Sequence, residues 1–136
     1  MASAQREIMI NAPPHKVWSL LGEVDQWPAW HSKITQGRML AGDEFFPGAK
    51  FQYVYDGEPT VGTITQIDRL NSVGWRTDNS RFLFQLEASE GGTRVSGTHE
   101  ISGFLEALRK GKFQQEADRL CNEWLTALKE AAEAAQ

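Results

Sequence analysis

The chain has 136 residues, a net charge of −4, and 40% hydrophobic against 24% charged residues. This is the balance of a globular protein long enough to bury about two thirds of the surface its unfolded form exposes. Lys and Arg are scattered without a basic stripe, which argues against nucleic acid or an anionic membrane as the main partner. One cysteine, Cys121, excludes an internal disulfide, and no apolar run approaches the roughly 20 residues of a membrane span. With no charged-then-apolar leader, the expectation is one domain over residues 1–136, cytoplasmic and not inserted in a membrane.

Arg6 to Ile10 reads as a short strand, stopped by Ala12-Pro13-Pro14. Proline has no N–H for a ladder but suits the first turn of a helix, where that donor is spare. Val17, Leu20, Leu21 and Val24 then recur at helical spacing, and Gly22 and Asp25 mark an end and a fresh start. Pro28 limits Asp25 to Trp30 to about one turn. Trp18, Trp27 and Trp30 crowd this block, and side chains of that size need somewhere substantial to pack.

Beyond Ser32 the apolar period falls toward two. Lys33 to Leu40 is a candidate strand that ends at Ala41-Gly42-Asp43, and Pro47-Gly48 marks another turn. Phe51, Tyr53 and Tyr55 alternate onto one face of the next strand. Asp56-Gly57 is a hairpin signal that Glu58-Pro59 would lengthen. From Thr60 to Asp68, Ile64 and Ile67 have opposite parity, so the strand needs a bulge. Ser72 to Thr77 carries Val73 and Trp75 on one face, and Arg81 to Ala88 alternates Phe82, Phe84 and Leu86. In Thr93 to Ile101 the residues Arg94, Ser96, Thr98 and Glu100 form a wet face, with Val95, Gly97, His99 and Ile101 covered. From about Lys112 to Ala132, Phe113, Ala117, Leu120, Trp124 and Leu128 form a helical stripe, widened by Cys121 and Leu125.

The elements predict an α+β architecture. Two short helices follow the first strand, and a curved antiparallel sheet of six to seven strands wraps around a long C-terminal helix. An aromatic-lined gap between sheet and helix is a common form of small-molecule pocket.

Ile10-x-Ala-Pro-Pro-x-x-Val-Trp18, Asp25-x-Trp-Pro-x-Trp30, and Gly91-Gly-Thr-Arg-Val95 followed by Glu100-Ile-Ser-Gly103 carry a resemblance that spans essentially the whole chain. They resemble the START/Bet v 1-like (SRPBCC) superfamily, and within it the bacterial polyketide cyclase/dehydrase-like group. The resemblance implies the helix-grip fold. It leaves function open among lipid carriers, receptors, aromatase/cyclases, hydrolase-like enzymes and chaperone-associated domains. It also places the Trp27–Trp30 turn at a cavity mouth, and suggests gating by Asp56 to Pro59 and Ser102 to Gly111, with Gly57, Gly103 and Gly111 as hinges. Where aromatase/cyclase relatives place a cavity arginine and tyrosine, Gln66 and Ile34 stand here.

The expected ligand-binding set is Trp27, Trp30, Phe51, Tyr53, Tyr55, Gln66, Trp75, Phe82, Phe84, His99, Phe104, Leu120 and Trp124. Some of these rings are plain core, and Trp27 and Trp30 could equally plug its end. His99 stands in an apolar register beside Gly97, whose missing side chain could open space. It is either a cavity-facing acid/base or a structural histidine. His15 and His31 read as solvated turn or helix-surface residues, and Glu116, Asp118 and Glu123 as solvated charge on the outer helix face. No histidine pair or thiolate set has ligand spacing, so neither metal nor cofactor is expected, and Cys121 reads as a buried, inert thiol.

The favoured reading is a small hydrophobic or aromatic ligand, lipid- or polyketide-like, bound by a monomer or weak dimer. The alternative is a polyketide cyclase/dehydratase with His99 as base and Tyr53 or Tyr55 as donors. A third is a protein-interaction module of the same fold.

Overall fold

Proline placement and turn chemistry divide the chain much as the sequence predicts. A computed structural model describes residues 2–40, 46–101 and 110–134. Strand β1 (Ala2–Ile10) leads into helix α1 (Pro14–Gly22), with Pro14 in its first turn. A 3-10 turn at Val24–Gln26 and the one-turn helix α2 (Trp27–Trp30) follow. Strands β2 (Ile34–Met39), β3 (Lys50–Tyr55), β4 (Glu58–Asp68), β5 (Ser72–Arg76), β6 (Ser80–Ser89) and β7 (Gly92–Ile101) come next. Helix α3 (Lys110–Ala134) closes the chain.

The strands form one antiparallel sheet of seven in the order β1-β7-β6-β5-β4-β3-β2. β2 to β7 are a meander, while β1 crosses to pair with β7 from Ala2↔Ile101 to Ile10↔Thr93. The pairing also makes β1 longer than the Arg6–Ile10 segment its β-branched residues mark.

Turn chemistry fixes the registers. Asp56 and Gly57 both adopt positive φ (49° and 84°), the type I′ geometry that matches strand twist. Tyr55 consequently pairs directly with Glu58, so Glu58-Pro59 belongs to β4 and does not lengthen the loop. The predicted bulge in β4 lies between Ile64 and Gln66, and returns both Ile64 and Ile67 toward the core.

The core sits between the inner sheet face and α3. Val95, Gly97, His99 and Ile101 of β7 are buried, as are Ala117, Cys121, Trp124, Leu125 and Leu128 of α3. Most of the stability of a helix this long comes from burying such a stripe, since its isolated propensity is marginal.

The α1–α2 block is clamped to the opposite edge of the sheet. A Cβ added at Gly37 of β2 would lie 2.3 Å from the carbonyl oxygen of Val24. Gly37→Ala therefore forces the 3-10 turn off the strand. A loss of about 1–3 kcal/mol is expected, as for overpacking elsewhere, read as a lower urea midpoint with an unchanged m-value.

Candidate functional site

Trp27 is the hub of the interior. It is fully buried, and its indole N–H donates to the carbonyl of Leu21 at 3.3 Å. Its ring meets Phe51, Tyr53, Trp75 and Trp124 at centroid distances of 5.5, 5.4, 5.0 and 5.1 Å. Trp75 in turn stacks on Phe82 at 4.7 Å and Phe84 at 5.7 Å. Trp27, Phe51, Trp75 and Phe84 thus fill the core between sheet and helix and do not line the cavity beside it.

That cavity, of about 240 Å³, opens next to this cluster between α3 and the sheet. Tyr53, Phe82, Ile101, Leu120 and Trp124 supply its apolar wall, and Tyr55, Thr60, Thr77, Asn79, Ser80 and Glu116 its polar rim. The structure therefore brings five of the expected residues together: Tyr53, Tyr55, Phe82, Leu120 and Trp124. Trp30 is half-buried and packs on Trp124 from the α2 side, 5.8 Å between centroids. Phe104, and the gating segment from Ser102 as far as residue 109, lie outside the described residues.

Gln66 departs from expectation. It is exposed, donates to the Ser72 hydroxyl at 3.0 Å, and shares the outer sheet face with Gln85, Arg94 and Ser96. The β4 bulge turns it there.

His99 is buried on the inner face, in T-shaped contact with Phe82 at 4.2 Å, and neither ring nitrogen has a hydrogen-bond partner among the described residues. Burial, reinforced by the charge of Arg119, pulls its pKa down to about 4, so the ring is neutral at pH 7. It does not reach the cavity wall. Nor does Gly97 open space beside it, because a Cβ there would meet the Leu125 side chain at 3.1 Å. The missing side chain lets α3 approach the sheet. Cys121 is also buried, its Sγ donating to the Gly97 carbonyl at 3.3 Å, and burial raises the thiol pKa away from reactivity.

The charged groups beside the cavity are not the solvated set the sequence suggests. His31 is 1% exposed, with its ring 4.5 Å from Trp124 and 5.8 Å from Tyr55. Its Nδ1 accepts the Lys33 backbone N–H at 3.3 Å, which leaves the proton of the neutral ring on Nε2. That Nε2 has no hydrogen-bond partner and sits 4.0 Å from the Glu123 carboxylate. Burial brings the His31 pKa down to about 4 despite Glu123.

Glu123 likewise turns inward. It accepts a hydrogen bond from the Tyr55 hydroxyl and pairs with Lys33 Nζ and Arg119 Nη1, each at 3.0 Å. Burial works to raise its pKa, but these three partners outweigh it and hold the carboxyl below its usual range. Arg119 also binds Glu116. Glu116, Leu120 and Glu123, at i, i+4 and i+7, run along the edge of the apolar stripe, and that spacing was the signal available for the cluster. His15 is exposed, as expected. Asp118 pairs with Arg6 at 2.9 Å on the surface.

Burial pushes the Tyr53 hydroxyl up to about 12, and burial followed by Glu123 raises Tyr55 further. Both phenols are therefore hydrogen-bond donors at neutral pH and not bases. Among the described residues no three His, Cys, Asp or Glu side chains converge on a metal-sized site, and no helix is long and apolar enough to cross a membrane.

Residues 1–133 match the family model described as polyketide cyclase/dehydrase and lipid transport. The chain belongs to that family. No curated protein matches it at a significant level. Solved structures similar to this family member include a START superfamily protein from Mycobacterium smegmatis (11% identity, TM-score 0.84, all of both chains covered). An Aha1 dimer from Colwellia psychrerythraea aligns at 21% identity and TM-score 0.74, over 98% of this chain and 97% of that one. Ara h 8.0201 aligns at 16% identity and TM-score 0.68, over 97% of each. With the observed sheet and helix, these likenesses establish the START/Bet v 1 helix-grip fold for this polyketide cyclase/dehydrase-family chain.

Proposed function

We propose that the protein binds a small hydrophobic or aromatic molecule in the cavity between sheet and α3. The observation that carries this reading is the cavity wall itself. Tyr53, Phe82, Leu120 and Trp124 offer rings and aliphatic surface, while Tyr55, Thr60, Asn79 and Ser80 ring the mouth with hydrogen-bonding groups. An apolar floor ringed by polar groups that can orient a ligand is the pattern of a ligand site. The volume, about 240 Å³, favours an occupant smaller than the drug-sized molecules that fill pockets of roughly 300–1,000 Å³. Catalysis by the cyclase scheme has less support: Tyr53 and Tyr55 can donate as that scheme needs, but His99, its base, lies off the cavity wall.

The test is a fluorescence titration with 2-naphthol, checked by native mass spectrometry. Leu120 is half-buried at the wall, so Leu120→Trp fills the space without replacing any of the rings that contact Trp27. Affinity is expected to fall at least tenfold, with Leu120→Ala retaining it. Equal binding by the Trp variant places the ligand elsewhere.

A further inference from the structure

A second, larger concavity lies on the other side of α2, away from the cavity. It measures about 540 Å³ and runs between the ends of α1 and α2 and the C-terminal half of α3. Leu20 and Trp30 form one wall, and Ala127, Ala131 and Ala134 the other. The three alanines, at i, i+4 and i+7, mark a track of about 10 Å along α3, some two helical turns. Their small side chains allow another backbone to come close.

Two carboxylates flank this trough. Glu23 follows α1 and Glu130 projects from α3, both exposed, and no Lys or Arg among the described residues lines the groove. Among the described residues neither carboxylate has an ion pair, and Lys129, one residue from Glu130, is spent on Glu133 and the Met9 carbonyl. A second copy of this chain is a poor occupant. A two-fold contact through the groove would set its acidic rim against itself.

We propose that this groove docks an amphipathic helical segment of another protein, apolar along one face and edged with lysine or arginine. The apolar floor would receive the helix face and the two carboxylates its flanking cations, the helix-in-groove mode of peptide recognition. This site is separate from the small-molecule cavity, and its failure leaves that reading untouched.

The probe is a fluorescein-labelled 18-residue Leu–Lys amphipathic peptide, with a Leu–Glu peptide of the same pattern as counterpart. Binding is followed by anisotropy and by the Trp30 indole N–H resonance. Trp30 lines the groove while its N–H is buried behind the wall with no hydrogen-bond partner among the described residues, so its chemical shift reports a displacement of that wall. The Leu–Lys peptide is expected to bind with a Kd on the order of 10 µM and to move the Trp30 signal, while the Leu–Glu peptide does neither. Glu23→Lys with Glu130→Lys should weaken binding at least tenfold. Glu58→Lys with Glu90→Lys, an equal change of charge at exposed positions elsewhere, should weaken it less than twofold.

Four outcomes overturn the proposal: equal losses in the two double variants, equal binding of the two peptides, no Trp30 shift at saturating peptide, or concentration-dependent self-association that Ala131→Arg abolishes. The last would assign the groove to a second copy.

Discussion

Trp27→Ala is expected to remove about 3–5 kcal/mol of folding stability, the range for deleting a large buried aromatic. Trp27 lies at the upper end of that range for a physical reason. Four aromatic rings meet it within 5.5 Å between centroids, and its N–H closes the carbonyl of Leu21 at the end of α1. Truncation would leave a cavity whose walls come from α2, β3, β5 and α3, so no single element can relax to fill it. For a domain whose total stability is about 5–15 kcal/mol, the variant should be partly unfolded at 37 °C. Equilibrium urea denaturation reads the loss, with Trp27→Phe recovering part of it. A loss under 1 kcal/mol would mean that the aromatic cluster is not what joins the α1–α2 block to the sheet.

Stability should also fall as pH drops from about 6.5 toward 4. His31 and His99 are both buried and both have pKa values brought down from 6.5 to about 4. Between those limits the unfolded chain binds protons that the folded chain does not, so acid favours unfolding. Full stability is present above pH 6.5 and is lost progressively down to the folded value. Each ring contributes up to about 3 kcal/mol to that total loss.

His99→Leu separates the two histidines. It replaces a ring with two unpartnered nitrogens by an apolar side chain, so stability at pH 7 is expected to hold or rise by about 1–2 kcal/mol. The slope between pH 6.5 and 4.5 should drop by roughly half, leaving the contribution of His31. Urea midpoints at several pH values measure this, and an unaltered slope in the variant would show that His99 does not titrate on unfolding.

What could be read from the chain follows from how locally each feature is encoded. Alternation in Thr93–Ile101 placed β7 and its covered face, because a strand's two faces are set by its own residues. The opposite parity of Ile64 and Ile67 likewise located the β4 bulge. Whether a given ring borders a cavity or the core is decided by where α3 lies against the twisted sheet, which no single strand records. Phe51 and Tyr53 share a strand face, yet only Tyr53 reaches the cavity. His31 sits in a polar-looking turn with no periodicity to betray its burial. It goes inside because α2 folds the turn beneath Trp124. Glu123 reads as solvated charge for a different reason: a carboxylate next to an apolar stripe looks solvated until Lys33 and Tyr55, distant in sequence, arrive beside it.

The pairing of β1 with β7 bears on how the protein is made. Ala2 finds Ile101 and Ile10 finds Thr93, so β1 has no partner in this sheet until β7 has been synthesised. β2 to β7 can zip hairpin by hairpin during synthesis, whereas closing this seam costs a long loop and comes late. Nascent β1 must therefore stay unpaired while β2 to β6 are made, and its polar spacing of Ser3, Gln5 and Glu7 suits a strand that has to wait in water.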